Sequence, residues 1–93
     1  MRLVWSRPAI ATRREIFDYI RKEDPAAARR IVKRLRDRAS SLQKNARQGR
    51  KGRIEGTFEL YVSGTPYLIV YSIVGDEIRI IAILHHARQW PPA

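Results

Sequence analysis

Two glycines in a cationic stretch, Asn45-Ala46-Arg47-Gln48-Gly49-Arg50-Lys51-Gly52-Arg53, mark a change of hydrophobic period, and that change constrains the fold more than any other feature. Before it, apolar residues recur every three or four positions. Ile10, Ile16, Phe17 and Ile20 gather on one side of a helical wheel, opposite Arg13, Arg14, Asp18 and Arg21. Ala28, Ile31, Val32, Leu35, Ala39, Leu42 and Ala46 form a second stripe, with Lys44 and Arg47 expected in the last turn of that helix. Asp24-Pro25 separates the two segments, because a residue before proline is pushed out of the helical region while Asp caps, and Pro opens, the next helix. After the glycines the text turns to Ile, Val and Tyr in runs 58–62, 67–74 and 78–84. Turns are signalled at Ser63-Gly64-Thr65-Pro66 and Gly75-Asp76. A leading apolar run, Arg2-Leu3-Val4-Trp5, adds a first strand, and Ser6 before Pro8 starts the first helix.

The expected fold is therefore α+β in the order β-α-α-β-β-β: an N-terminal strand, then a helical hairpin packed on one face of an antiparallel sheet. Ninety-three residues allow one core, so residues 1–93 are read as a single domain. The absence of cysteine excludes a disulfide framework and a thiol nucleophile and suits a reducing compartment. No apolar stretch is long enough for a membrane span and no signal peptide is evident, so a cytoplasmic protein is expected.

The net charge of +10 favours an anionic partner, but it is unevenly placed: residues 1–53 carry +12 and residues 54–93 carry −2. The basic surface thus belongs to the hairpin and the glycine-bearing loop. A phosphate-cutting site would concentrate cations on the sheet instead.

The candidate chemistry lies in the second half. His85-His86-Ala87-Arg88-Gln89-Trp90 brings two imidazoles, a guanidinium and an indole together at the end of the last strand. Neighbouring strand residues point to opposite faces, so His85 and His86 do not share a metal, and no metal or cofactor is expected. Trp90 suits packing over the sheet edge as well as contact with a partner. His86, Glu59, Tyr61 and Arg88 could converge as a metal-free ribonuclease site. Against this, Glu59 and Tyr61 also fit an ordinary solvent face alternating with buried Phe58, Leu60 and Val62.

Trp5-Ser6-Arg7-Pro8-Ala9, Ile16-Phe17-Asp18-Tyr19-Ile20, Pro25-Ala26-Ala27-Ala28, Gly52-Arg53, Gly56-Thr57, Glu59-Leu60, Gly64-Thr65-Pro66-Tyr67, Val70-Tyr71, Leu84-His85 and Arg88-Gln89-Trp90-Pro91 together resemble the RelE/ParE family of bacterial toxins, over nearly the whole chain. The resemblance implies a toxin neutralised by a cognate antitoxin in a hetero-oligomer. It assigns antitoxin contact to the apolar groove between sheet and helices, with Phe17, Leu35, Arg34, Arg53 and Tyr71, and target contact to His86, Arg88 and Trp90. Within the family, RelE-like members cut mRNA on the ribosome and ParE-like members poison DNA gyrase. The basic positions of the ribonucleases fall here on Glu59, Tyr61 and Leu68, and in a second ribonuclease branch only His86 matches, its partners falling on Leu68 and Ala87. The chain therefore reads as closer to the ParE-like members, a gyrase inhibitor acting by binding. A ribosome-dependent ribonuclease and a degenerate, non-toxic member are the alternatives, and attraction to an acidic antitoxin best explains the positive charge.

Overall fold

Serine and aspartate caps start both helices. A computed structural model describes residues 1–87. Strand β1 (Arg2–Trp5) leads into helix α1 (Arg7–Arg21), where the Ser6 hydroxyl accepts from the Ala9 N–H and donates to the Ile81 carbonyl. One side chain thus caps the helix and ties its start to the sheet. Helix α2 (Pro25–Ser41) is capped in the same way by Asp24, which accepts from the Ala27 N–H.

Four strands follow: β2 (Arg50–Lys51), β3 (Phe58–Tyr61), β4 (Tyr67–Val74) and β5 (Glu77–His85), in a sheet ordered β1-β5-β4-β3-β2. The β4–β5 connection is the two-residue turn Gly75-Asp76, and Gly75 takes a φ of +61° that an L side chain would resist. A bulge at Val70/Tyr71 interrupts the pairing of these two long strands.

Three expectations need correction. The sheet is mixed rather than antiparallel, because β1 lies parallel to β5, from Arg2 opposite Glu77 to Trp5 opposite Ile80. The glycine-bearing stretch is not loop throughout, since Arg50 and Lys51 pair with Glu59 and Phe58 and extend the sheet by a strand. Helix α2 ends at Ser41, so its last turn carries Arg38, not Lys44 and Arg47.

Leu35, Ala39, Leu42, Leu60, Ile69, Tyr71, Ile78, Ile80 and Ile83 fill the layer between hairpin and sheet. Arg38 pins α2 across this layer, donating to the Tyr61 carbonyl and the Gln48 side chain. Leu68, Val70 and Leu84 form a smaller buried cluster on the other face of the sheet, with Ile81 and Ala82 against it. No helix among the described residues is long and apolar enough to cross a membrane.

Candidate functional site

Alternation along β3 decides which residues reach each face of the sheet. Phe58 and Leu60 pack toward the helices, so Glu59 and Tyr61 project from the opposite, helix-free face. Glu59 is not the solvent-facing residue the alternation suggested, since it is only 2% exposed. Its carboxylate accepts from the Arg53 backbone N–H at 3.0 Å, from Arg53 Nε at 3.2 Å and from Arg53 Nη2 at 3.2 Å. Burial pushes the Glu59 pKa up, but the Arg53 hydrogen bonds and the Arg53 and Arg50 charges outweigh it and hold the carboxyl below its ordinary range. A carboxylate closed in this way is a poor general base, and Glu59 is corrected from a candidate catalytic group to a structural ion pair.

The same pair makes stability depend on pH in a predictable direction. A pKa depressed on folding contributes stability above the unfolded value, 4.5 for Glu, which disappears as pH falls through the folded value. Glu59→Gln should therefore lower the melting temperature at pH 7 and narrow its gap to the parent protein below about pH 4, measured by thermal melts across that range.

The remaining candidates are spread out. Tyr61 is exposed and accepts a hydrogen bond from Arg50 Nη2 at 3.0 Å, with the Arg50 guanidinium 5.1 Å from the ring centroid. Its cross-strand neighbour is Leu68, 1% exposed, so no cation stands opposite it. The His86 backbone N–H donates to the Pro66 carbonyl at 2.8 Å, and its ring stacks on His85 with centroids 5.1 Å apart, so the two imidazoles lie together rather than on opposite faces, because β5 ends at His85 and His86 is in the turn beyond it. Arg88 and Trp90 lie outside the described residues.

Nor do the expected antitoxin contacts form one surface. Leu35 and Tyr71 are fully buried in the core between hairpin and sheet, and the groove that does open between α1 and the sheet, of about 400 Å³, is lined instead by Thr12, Glu15, Ile16, Tyr19, Tyr67, Ile83 and His85. Arg34 donates to the Ser63 carbonyl at 3.0 Å, and Arg53 closes on Glu59. Phe17 lines an open groove, but on the outer side of the hairpin. This groove, of about 580 Å³, is bounded by Ile10, Arg13, Arg14 and Phe17 of α1 and Arg29, Val32, Lys33, Arg36 and Asp37 of α2.

Five cations around three apolar side chains suit an acidic amphipathic segment. The only carboxylate in the lining, Asp37, is held by Lys33 at 2.6 Å, and Arg13 lies over the Trp5 ring at 4.5 Å. Burial, then the neighbouring charges of Arg36 and Arg14, pull the Arg13 pKa below its ordinary value. The guanidinium remains charged, so an anion entering the groove would meet several positive charges at once. Ile10, Phe17 and Val32 belong to the apolar stripes of the two helical wheels. Their excess over what one face needs, interleaved with arginines, was the available signal for a second, outward groove.

Residues 3–90 match the family model described as the ParE toxin of the type II toxin-antitoxin system parDE. Y4kP of Sinorhizobium fredii, described as a toxin, is 39% identical over 97% of this chain and 93% of its own. Toxin RelE2 of Caulobacter vibrioides is 35% identical over 92% and 96%. A solved structure described as the chromosomal ParDE TA system from P. aeruginosa superposes with a TM-score of 0.85 at 28% identity, covering 91% of this chain and 95% of that one.

Proposed function

Because the chain belongs to the ParE toxin family of type II toxin-antitoxin systems, we propose that it arrests growth by binding DNA gyrase and that its cognate antitoxin neutralises it through the hairpin groove. The observation that carries the reading is the state of the helix-free face. A ribonuclease there needs cations free to neutralise the phosphorane and a base free to take a proton. Arg53 closes the Glu59 carboxylate, Leu68 occupies the position opposite Tyr61, and Arg50, the cation at Tyr61, has no free base beside it among the described residues with which to cut a bound phosphate. Inhibition by binding asks for none of that chemistry.

Antitoxin binding draws on different residues. An acidic amphipathic segment in the groove would set its carboxylates against Arg13, Arg14, Arg29 and Arg36 and its apolar side chains on Ile10, Phe17 and Val32. His86, Arg88 and Trp90 are the proposed contacts for the target.

Supercoiling by purified gyrase and translation in a cell-free extract, measured side by side with the toxin and its Arg88→Ala variant, test the target. The expected result is loss of supercoiling at toxin concentrations that leave translation intact, with at least a tenfold weaker effect from Arg88→Ala. Intact supercoiling with rapid mRNA cleavage would overturn the reading in favour of a ribonuclease. No growth effect on expression without antitoxin would identify a degenerate member.

A further inference from the structure

The cations fall on two surfaces of different make. In the hairpin groove they surround an apolar floor. The second set lies at the edge of the sheet, where Arg50 and Lys51 form the outermost strand and Arg47 and Arg53 flank it. Among the described residues, Arg47, Arg50 and Lys51 form no ion pair with a carboxylate. Glu59, directly across the strand from Arg50, is closed by Arg53 instead.

Arg50 is held in place. Its guanidinium lies over the Tyr61 ring and donates to the Tyr61 oxygen, which accepts with a lone pair and keeps its own proton to give. The exposed pair therefore offers two kinds of donor at one place, the unused guanidinium N–H groups and a phenolic O–H. Both are standard partners of a phosphate oxygen.

The surroundings decide which polyanion fits. An acidic amphipathic segment needs apolar contact, but the cluster beside this edge is closed, with Leu68, Val70 and Leu84 all at 8% exposure or less. Single-stranded nucleic acid needs a series of open aromatic faces for successive bases, and this edge offers Tyr61, with Arg50 over one of its two faces. A duplex backbone asks only for cations and hydroxyl donors spaced along an edge.

We propose that the β2 edge, with Arg50 and Tyr61 on the helix-free face of the sheet and Lys51 and Arg47 on the Phe58 side of the same edge, is a phosphate-contact site for the backbone of duplex DNA, separate from the antitoxin groove. Binding there is independent of base sequence and steeply dependent on salt. It uses no residue of the groove, so antitoxin and DNA do not compete for the same side chains. This inference stands apart from the identity of the toxin's target.

The test is fluorescence anisotropy of a labelled random-sequence duplex of about 30 base pairs with the purified full chain, from about 50 to 200 mM salt. Arg50→Ala/Lys51→Ala is expected to bind about tenfold more weakly at 100 mM salt, with the log–log salt slope reduced by about two. Tyr61→Phe should weaken binding about threefold by removing one donor. Arg13→Ala/Arg36→Ala in the groove should bind duplex within about threefold of the parent protein. Thermal melts of each variant confirm that the fold is intact. Unchanged duplex binding by Arg50→Ala/Lys51→Ala would overturn the proposal, as would loss of binding in the groove variant instead. Stronger competition by polyglutamate or single-stranded RNA than by duplex DNA would overturn it too.

Discussion

Reversing two charges in the hairpin groove, Arg13→Glu with Arg36→Glu, should weaken antitoxin binding by at least about 100-fold, or roughly 2.7 kcal/mol. Arg13 and Arg36 are like charges facing the same groove, and partial burial together with Arg36 and Arg14 lowers the Arg13 pKa. An acidic segment gains from pairing with those charges, whereas after reversal the same carboxylates meet like charge. Desolvated charge pairs at interfaces couple by about 1.5–7 kcal/mol, so the stated loss asks slightly less than the low end of that range from each of the two positions. Titration calorimetry with the cognate antitoxin reads the affinity, and growth on co-expression reads neutralisation. Phe17→Ala should cost less, about tenfold, because it removes apolar contact and leaves the field unchanged. Neutralisation of the reversed variant at parent affinity would show that the antitoxin binds elsewhere.

Tyr71→Phe should lower stability by about 2 kcal/mol and the melting temperature by about 10 °C, a large effect for the loss of a single oxygen. The Tyr71 hydroxyl donates to the Ala46 carbonyl at 2.8 Å and accepts from the Gly49 N–H at 3.0 Å, while its ring stacks on Phe58. It thereby fastens the segment between α2 and β2 to the centre of the sheet. Removing it strands two backbone groups inside the protein, and the cost of each unpaired group exceeds the net gain from an ordinary hydrogen bond. Burial raises the Tyr71 pKa, and a raised value means that stability present below the unfolded value of 10.0 is lost as pH rises through the folded one. The alkaline limb of the parent's stability curve should therefore flatten in Tyr71→Phe. Gly49→Ala tests the same fastening from the other side, because a Cβ there would sit 2.7 Å from the Tyr71 hydroxyl and 3.0 Å from the Glu59 carbonyl oxygen. A melting temperature within 2 °C of the parent for both variants would show that the segment is held by other contacts.

Local chemistry was legible in the sequence where it settles structure on its own. Ser6 and Asp24 were readable as caps because each precedes a proline in the first turn, and both caps form. The β4–β5 turn was readable from Gly75-Asp76. What escaped depends on residues far apart in the chain. Arg50 and Lys51 are a strand only because β3 offers a free edge, and nothing in a basic, glycine-flanked stretch announces that partner. Glu59 looked solvent-facing because alternation assigns a side, not a cover, and its cover comes from Arg53 in the preceding loop. Leu42 still packs into the core although α2 has ended at Ser41, so the apolar stripe overstated the length of the helix. Of the antitoxin residues, Phe17 lines a groove, but one between α1 and α2 on the outer side of the hairpin rather than between sheet and helices, whereas Leu35 and Tyr71 carry the apolar character of the core they fill.

The parallel pairing of β1 with β5 has a consequence for the order of folding. Arg2 and Glu77 are joined by a salt bridge across 75 positions of sequence, and the whole register of β1 is set by a strand near the far end of the described chain. Loops of that span close slowly, and topologies rich in such contacts fold over milliseconds to seconds rather than microseconds. During synthesis the first strand emerges long before its partner exists, so Leu3, Val4 and Trp5 wait with their backbone groups unpaired while the hairpin forms behind them. The sheet can close only after β5 has been made, so the fold of residues 2–74 waits on the synthesis of Glu77–His85.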